Sequence, residues 1–177
     1  VIESSLGQKI EDVYTWLDEK PLASASIGQV HRAKLRHDGQ ELDVVVKVQR
    51  PNIRPTIERD IDLLYLFARM VERTIPESKI YSPVGLVGEF DRAIMAELAF
   101  QPEATTAETF TKNFDGNPSV RFPKVYRQAT SNRGLTLECF DGKKVYAAVE
   151  GGASGETIAK NAVAIIAQMI FVDGLFH

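Results

Sequence analysis

Between residues 28 and 36 the side chains follow an alternating pattern. One face of residues 28–36 takes every second residue: Val30, Arg32, Lys34 and Arg36. Residues 41–50 (ELDVVVKVQR) form a β-branched run typical of a strand, and the intervening HDGQ contains an Asp-Gly turn signal. The pattern therefore predicts a β-hairpin, with the small-residue segment PLASASIGQVH (21–31) at its open end.

A helical period replaces this alternation after two prolines. One apolar face is traced by Ile57, Ile61, Leu64, Ala68 and Val71. Ser82 and Pro83 form a cap and first-turn proline that open a helix to about residue 100, and a further helix is predicted over 103–114. Residues 9–18 (KIEDVYTWLD) and 158–172 also have helical spacing.

Short strands are predicted at 119–122, 124–129 and 134–140, with SNRG as the turn between the last two. The order is thus a hairpin, several helices, more strands and a final helix. This order predicts an α+β fold, in which helices pack on a small antiparallel sheet.

Composition excludes several classes of protein. The net charge of −3 and the scattered basic residues argue against a nucleic-acid surface. Cys139 is the only cysteine, so an intramolecular disulfide is impossible, and the three histidines lack metal-ligand spacing. The longest apolar stretch, residues 162–172, is shorter than the ~20 residues that a membrane span requires.

Because the chain opens on Val1 and closes on DGLFH, we expect it to be part of a longer protein.

Lys47 is the most informative single residue, because it lies among valines in a run that otherwise indicates a buried strand. An ammonium group there is costly unless it is paired or solvated. One interpretation is an edge-strand lysine whose head reaches water. The other is a lysine that binds phosphate oxygens from the strand after a loop-bearing hairpin, as kinases do.

A phosphate-binding lysine needs a carboxylate to hold it. Glu97 is the favoured candidate, because alanines surround it on its helical face and leave room for another element to approach. Glu89 and Glu103 are the alternatives, and Glu97 is otherwise an ordinary solvated helical residue. The strand end LTLECFDG (135–142) is either an ordinary turn or a segment whose backbone binds an adenine edge.

Four segments together resemble the UbiB/AarF atypical kinase-like family, which is linked to isoprenoid-quinone pathways: PLASASIGQVHRA, VVVKVQRP, ELAFQPEA and LTLECFDG. The resemblance extends from about residue 9 to residue 177. It implies a protein-kinase-like N-lobe truncated before the catalytic loop, with a leading helix in 1–20, the N-lobe in 21–140 and the start of the C-lobe in 141–177.

The resemblance also implies a nucleotide site for ATP, with Mg²⁺ ligands outside this chain. Its residues would be the alanine-rich loop, the phosphate-binding lysine, the first acidic residue of an E-x-D motif and the hinge-like strand end: Ala23, Ser24, Ala25, Ser26, Ile27, Gly28, Gln29, Val30, Lys47, Glu97, Glu138 and Phe140. Each Cβ in the loop restricts the backbone that glycine would leave free. An ATPase or small-molecule kinase therefore fits better than a protein kinase.

Three departures from the family pattern limit what this chain is expected to do. Ala99 stands where the E-x-D aspartate belongs, and SLGQ (5–8) lacks the lysine of the family's K-x-G-Q signature. His177 matches only the first residue of the catalytic segment H-A-D-P-H-P-G-N. We therefore expect no catalytic residue or metal ligand within this chain, and inactivity of the chain alone.

The alternative is a non-catalytic, pseudokinase-like module that binds a protein or lipid. The resemblance implies a nucleotide as the first partner, with isoprenoid lipid or quinone-pathway proteins as further partners. It also implies peripheral association with the bacterial inner membrane, mitochondrion or plastid. The residues themselves predict a soluble chain and specify no compartment.

Overall fold

A five-stranded antiparallel sheet forms the centre of the computed structural model, which describes residues 1–175. Its strands are β1 (Tyr14–Leu17), β2 (Ala23–Ser24), β3 (Gly28–His37), β4 (Gln40–Gln49) and β5 (Gly134–Glu138). The order is β1-β3-β4-β5, and the short β2 pairs with β3. The predicted hairpin is confirmed: Asp38 and Gly39 form its turn with φ of 49° and 75°, the left-handed conformation that suits two-residue hairpin loops.

Helices connect and cover the strands. They are α1 (Ile2–Leu6), α2 (Ile10–Val13), α3 (Ile53–Thr74), α4 (Pro83–Glu97), α5 (Phe100–Asn113), α6 (Val145–Glu150) and α7 (Gly155–Phe171). Two 3₁₀ helices span Pro76–Tyr81 and Arg127–Ala129. The predicted α+β class is confirmed, and the antiparallel sheet with helices between β4 and β5 matches a kinase-like N-lobe. Among the helices described over residues 1–175, none is both long and apolar enough to cross a bilayer.

The two faces of the sheet bury different cores. On one face Leu35, Val44 and Val46 pack with Tyr14 and with Ile2 of α1. On the other, Leu135 packs with Ile27 and with residues at and after the α4–α5 junction: Leu98, Phe100 and Ala104. Because side chains alternate along a strand, β4 gives Val44 and Val46 to the first face and Lys47 to the second. We call this second face the inner face.

Three secondary-structure predictions are wrong. The helix predicted over 9–18 ends at Val13, because Tyr14–Leu17 pairs with β3 and its aromatic and β-branched residues suit a strand. No strand forms at 119–122, where Phe122 instead stacks on Phe110 with ring centroids 5.2 Å apart. Residues 124–129 contribute one bridge, from Val125 to Leu137, before a 3₁₀ turn.

Candidate functional site

Lys47 lies in the middle of the sheet. In the strand register it is opposite Val30 of β3 on one side and Leu135 of β5 on the other. The edge-strand interpretation is therefore wrong, because β4 has a partner on both sides. The ammonium group leaves the sheet from the inner face, where a charge needs a partner.

That partner is Glu103. The Nζ atom of Lys47 donates hydrogen bonds of 2.9 and 2.7 Å to the two carboxylate oxygens, and the two side chains are 25% and 24% exposed. The prediction that Glu97 holds the lysine is wrong. α5 begins at Phe100 and accommodates Pro102 in its first turn, so Glu103 lies where the helix starts over the sheet, whereas Glu97 ends α4 and is exposed.

The ring of Phe100 packs against the ion pair. Its ring is fully buried, and the Lys47 ammonium lies 4.9 Å from the ring centroid, within the range of a cation–π interaction. The ring fills the space under the lysine side chain and keeps water from that side. Sequence reasoning missed this residue, although an aromatic residue three positions before a glutamate is visible in ELAFQPE.

The alanine-rich loop folds back on the hairpin. Ala23 and Ser24 pair with Val30 and Gln29, and the Ala25 amide donates to the Gly28 carbonyl at 2.8 Å. Residues 23–26 are exposed, whereas Ile27 packs in the core. Since strand neighbours alternate, the side chain of Gln29 lies on the opposite face from Lys47, so only Val30 joins the inner face here.

Gly28 is required by a close approach of two backbones. A Cβ at this position would lie 2.7 Å from the Val48 carbonyl oxygen and 3.7 Å from the Phe100 ring. No side chain fits that gap without moving β4. The glycine therefore lets β3 begin in close contact with β4 and beside the Phe100 ring.

Arg50 ties the loop to the end of β4. Its Nη2 and Nε atoms donate to the Ala25 carbonyl at 3.2 and 3.4 Å, and its backbone amide donates to the Ile27 carbonyl at 3.0 Å. Sequence reasoning missed this contact, because nothing in the pattern links residue 50 to residue 25. The loop is thus fixed at both its own turn and the neighbouring strand.

Apolar side chains lie beside the cation on the inner face. Val45 is opposite Leu137, and Val30 is opposite Lys47, so these residues share the face because paired antiparallel residues point the same way. Lys47 thus shares the inner face with the apolar side chains of Val30 and Val45.

The predicted hinge-like strand end is held by its own side chains. Glu138 is paired with Arg121, and its second carboxylate oxygen accepts a hydrogen bond from the Lys124 amide at 3.2 Å. The Arg121 guanidinium lies 4.8 Å from the ring centroid of Phe140, which is 43% exposed. The segment after β5 lies beside Asp43, whose carbonyl accepts a hydrogen bond from the Cys139 amide at 3.1 Å. Because Glu138 is opposite Val44, its side chain lies on the face away from Lys47, and its role toward a base remains a prediction.

Two comparisons with known proteins show the family of this chain. Residues 1–177 match the model of the ABC1 atypical kinase-like domain. The chain belongs to this family. It is 37% identical to a probable protein kinase UbiB of Aliivibrio fischeri (strain MJ11) over 179 residues, which is 99% of this chain and 32% of the relative. It is 38% identical to a protein of the same name from Aeromonas hydrophila, over 99% of this chain and 32% of that relative. The chain thus spans about a third of the relatives' length.

Membership in the ABC1 family accounts for the sequence features that carried the resemblance. Lys47 of the lysine strand pairs with Glu103 of ELAFQPEA, and the loop pairs with β3 beside that strand. Ala99 lies at the start of α5 and supplies no carboxylate. Phe176 and His177 lie outside the described residues, so the expectation about the catalytic segment stays a prediction, as does the division into N-lobe and C-lobe.

Proposed function

We propose that this ABC1 domain is the nucleotide-binding lobe of a UbiB-type atypical kinase or ATPase that supports isoprenoid-quinone or lipid metabolism. The observation that carries the proposal is the Lys47–Glu103 pair at the centre of the sheet, opposite Val30, which also pairs with Ala23 of the loop. Kinases hold their phosphate-binding lysine by such a glutamate on the helix that packs on the sheet.

Each part of the inner face has a role in this proposal. The Lys47 ammonium binds phosphate oxygens, and Glu103 holds it at the sheet so that the site is organised before the ligand arrives. Val30 and Val45 pack against the base, and backbone groups at Glu138–Phe140 bind its edge. ATP supplies the transferable phosphoryl group, while Mg²⁺ ligands are expected from segments beyond this chain.

The composition of the loop supports hydrolysis or a small acceptor over phosphorylation of proteins. Residues 23–26 carry two alanines and two serines where kinases have glycines, and each Cβ restricts the backbone. Arg50 additionally holds the Ala25 carbonyl. A loop restrained in this way does not collapse onto the phosphates as a glycine loop does.

The test is nucleotide binding by the wild-type chain and two lysine variants, measured by calorimetry. Lys47→Ala should weaken binding of ATP about tenfold, or ~1.4 kcal/mol. Lys34→Ala is the control, because Lys34 lies on the same face of the hairpin and pairs with Asp43 at 3.4 Å. This variant should bind ATP like the wild type. Equal binding by wild type and Lys47→Ala would contradict the proposal.

The second candidate is a pseudokinase-like module that engages an isoprenoid lipid, a quinone-pathway protein or a membrane surface. Ala99 favours it, because the E-x-D carboxylate is missing at the start of α5. Restoring it by Ala99→Asp separates the two functions. A gain in Mg²⁺-dependent nucleotide affinity in Ala99→Asp would favour the nucleotide-binding lobe. Binding of lipid or protein that is unchanged in both Ala99→Asp and Lys47→Ala would favour the module.

A further inference from the structure

Gln49 is a buried polar residue two positions after Lys47 on the same face of β4. Only 6% of its surface is exposed. Buried side-chain amides are retained where they have hydrogen-bond partners, because leaving them unpaired is costly. The partners of Gln49 lie at the junction that sets the start of α5.

The side-chain amide nitrogen of Gln49 reaches two carbonyls. It donates to the Leu98 carbonyl, at the end of α4, and to the Asn132 carbonyl at 3.5 Å, in the turn before β5. Because both partners are acceptors, the amide must present its NH₂ group to them. Its own backbone amide donates to the Arg133 carbonyl at 3.1 Å in the same turn.

Phe100 completes the junction. Its amide is the first free N–H of α5, and it donates to the Asn132 carbonyl at 3.1 Å. Helix ends leave such groups without partners inside the helix. The turn at Asn132 therefore receives both the start of α5 and the side chain of Gln49.

We infer that Gln49 is a positioning residue: its amide fixes where α4 ends and α5 begins, and so places Glu103 against Lys47. Glu103 lies three residues, or about one turn, after Phe100. A shift of the α4–α5 junction would move the carboxylate away from the ammonium while leaving the sheet intact. The inference deepens the proposed function and rests on it only where nucleotide is concerned.

The experiment measures the pairing directly, without nucleotide. A carbodiimide couples a carboxylate to an adjacent amine, and mass spectrometry of the full chain quantifies the Lys47–Glu103 product. The Lys34–Asp43 product of the same molecule is the internal reference, because that pair lies on the same hairpin far from α5. Glu103→Gln supplies the blank.

Gln49→Met keeps the length of the side chain but donates nothing. In this variant the ratio of the Lys47–Glu103 product to the Lys34–Asp43 product should fall about tenfold. A factor of this size corresponds to the loss of one buried hydrogen bond. Gln40→Met, at the exposed start of the same strand, should leave the ratio unchanged. A folded Gln49→Met chain with the wild-type ratio would overturn the inference.

Two further measurements cover the other outcomes. If Gln49→Met does not fold, NMR on the wild-type chain decides: the Gln49 side-chain protons should exchange slowly and show contacts to Leu98 and Asn132, and their absence would overturn the inference. Nucleotide affinity is measured on the same samples. A wild-type chain that binds no nucleotide but shows the predicted coupling ratios refutes the proposed function and supports the positioning role.

Discussion

The Nζ atom of Lys47 lies 2.7 Å from a carboxylate oxygen of Glu103, which is 56 residues further along the chain. The pair is about three-quarters buried at each side chain and lies over the Phe100 ring. Breaking a partly buried pair leaves the remaining charge without its partner, which costs more than the loss of a surface pair.

We therefore predict that Glu103→Gln weakens ATP binding about as much as Lys47→Ala does. The amide keeps the shape of the side chain but not its charge, and we expect roughly a tenfold loss, or ~1.4 kcal/mol. Calorimetry on the wild-type chain and the variants measures it.

Glu89→Gln is the matched control, because Glu89 is an exposed α4 residue paired with Arg92. It should bind ATP like the wild type. Glu97→Gln tests the remaining prediction that Glu97 contacts nucleotide as the E-x-D glutamate. A larger loss in Glu97→Gln than in Glu103→Gln would mean that the Lys47–Glu103 pair is not the one used in binding.

Gly28→Ala should destabilise the chain. The new methyl group would lie 2.7 Å from the Val48 carbonyl oxygen, and both positions are backbone of paired strands, so neither can yield cheaply. Overpacking of this kind costs about 1–3 kcal/mol. Urea unfolding measures the loss, and Gly142→Ala is the control because its Cβ would contact nothing within 4 Å. Equal stabilities of the two variants would show that the strands at Gly28 adjust freely.

Arg50→Gln should release the alanine-rich loop without unfolding the sheet. It removes the hydrogen bonds from the guanidinium to the Ala25 carbonyl but keeps the backbone bond to Ile27. Hydrogen exchange at residues 23–27 should accelerate about tenfold, as the loss of one net hydrogen bond implies. Arg36→Gln, near the far end of β3, is the control. Unchanged exchange in Arg50→Gln would mean that β2 alone holds the loop.

The sequence predicted the hairpin and its turn because their signals are local. β-branched residues around Lys47 and the Asp38-Gly39 turn each specify conformation without help from distant residues. Local spacing gave the wrong element at Tyr14–Leu17. The apolar residues have helical spacing, but the segment forms a strand because it pairs with β3.

The partner of Lys47 depended on contacts that no local pattern contains. Glu97 and Glu103 are six residues apart, and the break between α4 and α5 at Ala99 decides which of them faces the sheet. That break is fixed by Gln49 and by the turn at Asn132, both remote in sequence. The site lysine could therefore be predicted from the sequence, whereas its carboxylate required the fold.

Tyr14 gives the structure a pH-dependent contribution to stability. Its ring is 2% exposed, and its hydroxyl is hydrogen-bonded to Thr136 Oγ1 at 2.7 Å. Burial raises the pKa of the Tyr14 phenol above its ordinary value of 10.0, and the hydrogen bond to Thr136 opposes this only in part. The folded state therefore holds this proton to higher pH than the unfolded state does.

This pKa direction fixes the sign of the pH effect. The contribution is fully present below about pH 10, the ordinary pKa of tyrosine, and is lost as the pH rises through the folded-state pKa. We predict that the free energy of unfolding of the wild type falls faster between pH 9.5 and 11.5 than that of Tyr14→Phe, which should be about 1 kcal/mol less stable at pH 8. Taking the difference between the two curves cancels the other groups that titrate there. A difference that stays constant across the range would show that Tyr14 ionises as readily in the folded chain as in the unfolded one.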